Sequence, residues 1–99
     1  MAEQFNGLRP DQAERLFYLL EELGEAQQAI GKVLRHGYMR YDPTIAGPRP
    51  TNREMLEREL GDVQRAMHMM TRAGDLNPDR IDAVVAKGVP SKYMHHQKT

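Results

Sequence analysis

The chain has 99 residues, enough for one domain and no second independent core. Its 14 basic and 14 acidic residues balance, which argues against a broad positive field for nucleic acid, so neither DNA nor RNA is an expected partner. It has no cysteine, excluding a disulfide scaffold, a thiol nucleophile and Cys-ligated zinc. No apolar run is long enough to span a bilayer, so no membrane partner is expected. The stretch MAEQFNGLRP lacks the basic and apolar regions of a signal peptide, and a reducing cytoplasm is the expected compartment.

After an N-terminal extension over residues 1–10, the first expected element is a long helix from Asp11 to about Arg35. Leu16, Leu19, Leu20, Leu23, Ile30 and Leu34 recur at helical spacing with no proline between them. Asp11 is the expected N-cap, with Glu14 three positions later. Arg35, His36 and Gly37 supply a cation-then-glycine ending. Residues 37–50, GYMRYDPTIAGPRP, form a loop too long for a tight helical hairpin; it is either a surface connection or a segment that covers a site.

Thr51, with Glu54, caps a second helix reaching about Ala73 and stopping at Gly74. Leu56, Leu60, Val63, Met67 and Met70 form its apolar stripe. Asn77-Pro78 opens a third, shorter helix through about Lys87, broken by Gly88-Val89-Pro90. Residues 91–99 form a tail that either adds a turn or frays. His95 and His96 are adjacent, point apart on any helix and make a poor chelating pair. The methionines of the second helix read as core filler. A lone chain of this layout has difficulty covering both apolar stripes, so a homodimer or homotetramer is expected.

One pattern occurs twice. Residues 22–30 read ELGEAQQAI and residues 59–67 read ELGDVQRAM. Between Arg15 and Lys32 the only charged residues are Glu21, Glu22 and Glu25. At about 100° per residue, Glu59 falls inside the apolar arc of the second helix and Asp62 at its edge. Glu22 lies at the edge of the leucine stripe of the first helix, and Glu25 further round. A carboxylate in a core-facing arc must be neutralised. It can bind a divalent cation, pair with an arginine (Arg15, Arg58 and Arg65 are within reach in sequence but lie mostly on other faces), or stay solvated. Two E-x-x-[ED] pairs facing each other supply oxygen ligands of the kind hard cations prefer. Gly24 and Gly61 each precede the second acid of their pair, a position where a small residue suits close helix approach or room beside an ion.

Glu21-Glu22-x-x-Glu25 followed by Glu59-Leu60-Gly61-Asp62 resembles the E-E-x-x-E … E-x-x-D signature of the MazG-like, all-α nucleoside triphosphate pyrophosphatases. The resemblance covers roughly residues 11–74, with a slightly long gap between the two halves. It implies an all-α bundle: two long antiparallel helices plus one or two short C-terminal helices, completed by oligomerisation. It also implies hydrolysis of nucleoside triphosphates to monophosphate and pyrophosphate, with Mg²⁺, or Mn²⁺, held by Glu22, Glu25, Glu59 and Asp62. Glu21 becomes a further acidic site residue and the base that activates water, and Glu22 shares in catalysis. Lys32 (one heptad past Glu25), Arg35, Lys87 and Lys92 are the cations that would meet the phosphates. Relatives tend to run a regular helix through the region that here reads AKGVPSKYMHHQ, so specificity or assembly differs if that helix builds the pocket. A non-catalytic nucleotide- or protein-binding module with a structural metal is the alternative, and a plain self-associating bundle is a third reading that leaves Glu59 unexplained.

Overall fold

A computed structural model describes residues 6–90, 92 and 94–97. The expected extension and tail therefore lie partly outside the described residues. The described residues form three helices and no strand: α1 over Pro10–His36, α2 over Asn52–Arg72 and α3 over Pro78–Val85. None is long and apolar enough to cross a membrane.

The start of α1 corrects one expectation. Arg9, not Asp11, occupies the cap position, and its backbone N–H donates to Gln12 Oε1 at 2.9 Å. Pro10 explains the shift, because its fixed φ and missing N–H suit the first helical position. Asp11 sits in the first turn instead, accepting from Arg9 Nε at 3.1 Å and Arg15 Nη2 at 3.0 Å. At the other end Gly37 turns the chain with φ 88°, and its N–H donates to Val33 O at 2.7 Å.

In α2 the expected capping box is present. Glu54 N–H donates to Thr51 Oγ1 at 3.2 Å while Thr51 N–H donates to Glu54 Oε1 at 3.0 Å. Gly74, at φ 86°, ends the helix, and Asp75 N–H reaches back to Met70 O at 2.9 Å. Asn77 caps α3 by accepting from Asp79 N–H at 2.9 Å. That helix stops two residues short of the expected end, buries no residue, and exposes Val84 and Val85.

The two long helices pack against each other and run antiparallel. Arg15 near the start of α1 meets Asp75 beyond the end of α2, and Gly37 O accepts from Asn52 Nδ2 at 3.1 Å at the opposite end. The core between them is thin, made of Ala13, Ala26, Ala29, Ala66 and Met70. Small side chains let two helix backbones approach with little apolar volume between them.

The leucine stripe of α1 is not the face that packs on α2. Leu20 is 64% and Leu34 81% exposed, Leu16, Leu23 and Ile30 are exposed as well, and of the stripe only Leu19 is half-buried. The face toward α2 carries Glu22, Ala26 and Ala29, about 100° round the helix from the stripe by the 3.6-residue period. Most of the α2 stripe, by contrast, does turn inward, with Met70 buried and Leu56, Val63 and Met67 half-buried, while Leu60 is exposed.

Loop 37–50 folds back on the start of α2. Tyr41 and Thr51 form an antiparallel bridge. Asn52 N–H donates to Arg40 O at 2.6 Å, and Arg53 N–H to Tyr38 O at 3.0 Å. The loop thus satisfies backbone donors that a helix start otherwise leaves open. Two stacked pairs brace it: Arg53 lies 4.6 Å from the Tyr38 ring centroid and Arg49 5.2 Å from that of Tyr41.

Candidate metal centre

With Ala26 and Ala29 holding α1 close to α2, Glu22 and Glu25 on one helix meet Glu59 and Asp62 on the other. One carboxylate oxygen from each of the four lies within 4.8 Å of all the others. Glu22 is buried at 9% exposure, and the other three are half-buried. Glu22 Oε2 and Glu59 Oε2 are both shielded from solvent, with no hydrogen-bond partner among the described residues. A buried, unpartnered carboxylate oxygen carries a penalty that a folded protein normally removes with a donor or an ion.

Charge alone shows the same imbalance. Burial pushes the Glu22 carboxyl above its ordinary range, reinforced by the charges of Glu25, Asp62, Glu21 and Glu59. Glu59 is likewise raised, first by burial, then by the adjoining Glu25 carboxyl, which favours a shared proton, and by the charge of Asp62, against a lowering by Arg58. The arginine alternative accounts for little of this. Arg15 is committed to Asp75 and Asp11, and Arg65 reaches Asp62 at 3.3 Å from an exposed position.

The donor set fits a hard divalent cation. Four carboxylates offer oxygen ligands only, the preference of Mg²⁺, Mn²⁺ and Ca²⁺. Glu22, Glu25, Glu59 and Asp62, with one oxygen each inside a 4.8 Å span, are the residues that would hold such an ion. Gly24 and Gly61 are not required for the close approach of the two helices. A Cβ at either position would meet nothing within 4 Å.

A cavity of about 250 Å³ opens beside the acids, lined by Glu25, Gln28, Ala29, Lys32, Asn52, Met55 and Glu59. A second, of about 390 Å³, shares Lys32 and Asn52 with it and continues under the loop past Arg35, His36, Arg40, Tyr41, Asp42 and Pro43. A wide groove along α1 carries Glu21, Glu25, Lys32 and Arg35. Glu21 itself is exposed on that flank. The structure therefore brings together Glu22, Glu25, Glu59 and Asp62, with Lys32 and Arg35 in the adjoining cavities. Lys87 and Lys92 are exposed and line none of these three spaces.

Sequence reasoning did not single out Asn52, Arg40 or Tyr41. Asn52 is a polar residue at the first position of a helix, which ordinarily reads as solvated, yet it is buried against the loop. Comparison with protein-family models, with curated proteins and with solved structures returns no match for this chain.

Proposed function

We propose that the protein is a Mg²⁺-dependent nucleoside triphosphate pyrophosphohydrolase, converting a ribo- or deoxyribonucleoside triphosphate to its monophosphate and pyrophosphate. The carrying observation is the pair of buried, partnerless oxygens on Glu22 and Glu59 at the centre of a four-carboxylate cluster. The order of those acids, with their resemblance to the MazG-like signature, supplies the reaction. Glu22, Glu25, Glu59 and Asp62 would hold the ion. Bound there, Mg²⁺ supplies the positive charge that makes an acidic site attractive to a triphosphate and stabilises charge developing on its oxygens.

The chain's own residues do the rest. Facing carboxylates on two packed helices fix the site without loop rearrangement. Lys32, on the wall shared by two cavities, is the cation that lines the space beside Glu25 and Glu59 and would meet a phosphate oxygen there. In the reaction the oxygen of water attacks phosphorus at the α–β anhydride, the bond to the leaving pyrophosphate breaks, and the proton passes to a carboxylate at the rim. Glu21, exposed beside Glu25 and Lys32, is our candidate for that base. Lys87 and Lys92 have a weaker claim on the phosphates than Lys32 and Arg35.

The exposed leucine stripe on α1 supports a homodimer or homotetramer, since water-exposed Leu20 and Leu34 on one stripe form an uncovered apolar face. We place the protein in the cytoplasm, where nucleoside triphosphates are abundant.

The direct test is pyrophosphate release from a panel of common ribo- and deoxyribonucleoside triphosphates, including dUTP, with Mg²⁺ or Mn²⁺, with EDTA, and with Glu59→Gln. Metal-dependent release that falls at least about a hundredfold in the variant is the expected result, as for loss of a group stabilising transition-state charge. Absence of release from every nucleotide, with Mg²⁺ still binding to wild type only, would leave a non-catalytic binding module. If neither activity nor Mg²⁺ binding is found, both readings fall. Static light scattering on the same preparation checks assembly, and a monomer mass at micromolar concentration would exclude the oligomer.

A further inference from the structure

The cleft beside the acids changes sign along its length. At one end, Glu25 and Glu59 line the smaller cavity. Beyond Lys32 and Asn52, the larger cavity presents Lys32, Arg35 and Arg40 against a single carboxylate, Asp42. That carboxylate is already engaged, because its Oδ1 accepts from Thr44 N–H at 2.9 Å and from Thr44 Oγ1 at 2.7 Å. Those bonds hold it below the usual carboxylate range. Arg35 and Arg40 take part in no ion pair among the described residues, whereas Arg9, Arg15 and Arg65 do.

Placement of Arg40 does not depend on a loose loop. Its carbonyl accepts the buried Asn52 N–H at 2.6 Å, and its neighbour Tyr41 bridges to Thr51. Arg35 stands in the last turn of α1, where a cation also complements the helix dipole, but that role does not explain Arg40 or Lys32. Nor does the backbone of α2 attract an anion here, since the loop and Thr51 already take its first N–H groups. Side-chain cations alone give this cavity its sign.

We propose that the loop-lined cavity is the subsite for the terminal, β- and γ-phosphate end of the triphosphate, which leaves as pyrophosphate. The proposal rests on the pyrophosphohydrolase reading for which bond is broken. With the scissile anhydride at the acidic end, Lys32 bridges the two compartments and the guanidinium groups of Arg35 and Arg40 receive the leaving group. Guanidinium matches phosphate oxygens in geometry and charge. One face of Tyr41, the other obvious wall for a nucleobase, is already met by Arg49. The nucleoside is then left to the open groove along α1, at the part lined by Glu21, Gln27 and Gln28.

The test is calorimetric titration of inorganic pyrophosphate and, separately, of a nucleoside monophosphate. Wild type, Arg40→Ala, Arg40→Lys and Glu59→Gln are compared in excess Mg²⁺ and again in EDTA at low salt. Arg40→Ala should weaken pyrophosphate binding by about tenfold or more, the effect of losing a charge-assisted hydrogen bond, with Arg40→Lys recovering part of it. Monophosphate and Mg²⁺ affinities should stay within about twofold, which also certifies the fold. Unchanged pyrophosphate affinity in Arg40→Ala overturns the subsite, as does a loss confined to the monophosphate, which would assign the cavity to the nucleoside. If wild type fails to bind Mg²⁺, the hydrolase reading fails, and the EDTA arm decides the subsite alone. Arg40-dependent pyrophosphate binding there sustains an anion site, and its absence overturns it.

Discussion

The end and the middle of the α1–α2 contact handle sheltered charge in opposite ways. At one end Arg15 donates to Asp75 through Nε at 2.6 Å and Nη2 at 3.2 Å, and to Asp11 at 3.0 Å. Its side chain and that of Asp75 are only 15% and 11% exposed. Three charged groups there satisfy one another, holding Asp11 and Asp75 below the ordinary carboxylate range and Arg15 above its own. Midway along the contact four carboxylates share a similar degree of shelter, and among the described residues only Arg65, itself solvent-exposed, pairs with one of them. The contrast is one of pairing: the Arg15 cluster supplies its own counter-charge, whereas the four acids gather negative charge that Arg65 offsets only in part.

The largest effect that would break or sharpen this contrast is the response of thermal stability to a divalent cation. Mg²⁺ at a hundredfold excess over its Kd should raise the Tm of wild type by about 10 °C or more. Arg15→Met should lower the baseline Tm yet keep the full Mg²⁺ increment, whereas Glu22→Gln should lose the increment. Equal increments in all three proteins, measured by differential scanning fluorimetry, would show that the two clusters do not differ in this way.

A smaller effect should appear as pH is lowered in EDTA. Glu22 and Glu59 have raised folded-state pKa values, so the folded protein takes up protons before the unfolded chain does. Their contribution is fully present below the ordinary carboxylate value near 4.5 and is lost as pH rises through the raised values. Asp11 and Asp75 are lowered and behave in reverse, contributing above the ordinary value near 3.8 and failing as pH falls through the lowered ones. The metal-free Tm should therefore climb from neutral to mildly acidic pH and drop below that range. Glu22→Gln combined with Glu59→Gln should flatten the climb and leave the drop; a climb that persists in the double variant would remove these acids as its cause.

The smallest effect concerns the mid-helix glycines. Gly24→Ala and Gly61→Ala enter open space and should each stabilise the chain by up to about 1 kcal/mol. Measured by chemical denaturation beside light scattering, a stabilised protein with unchanged mass is expected. A loss of assembly would mean that the glycines make room for a second copy instead.

Much of this molecule was legible because local rules acted without competition. The Thr51–Glu54 box, the Asn77-Pro78 start and the glycine stops at Gly37 and Gly74 depend on residues within one turn, and all of them appear. Asp11 misled because a proline one position earlier outranks it as a start signal. The acidic pairs could be read from spacing, since a helical period places Glu59 among apolar neighbours. What spacing did not contain was which of two available faces of α1 would meet α2. The leucine stripe is the more apolar face, yet the alanine-and-glutamate face packs inward, and the reason lies in the fit between two helices.

The sequence by itself determined the helices, their caps, the four acids and the absence of cysteine chemistry, because propensity, capping and period are properties of neighbours along the chain. Only the tertiary structure decided that Arg15 finds Asp75 sixty positions away, that Asn52 is buried under the loop, and that Arg40 shares a cavity with Lys32. Those relations join residues distant in sequence. The close approach of two alanine-lined helices and the folding back of one loop set them, and no local pattern encodes either.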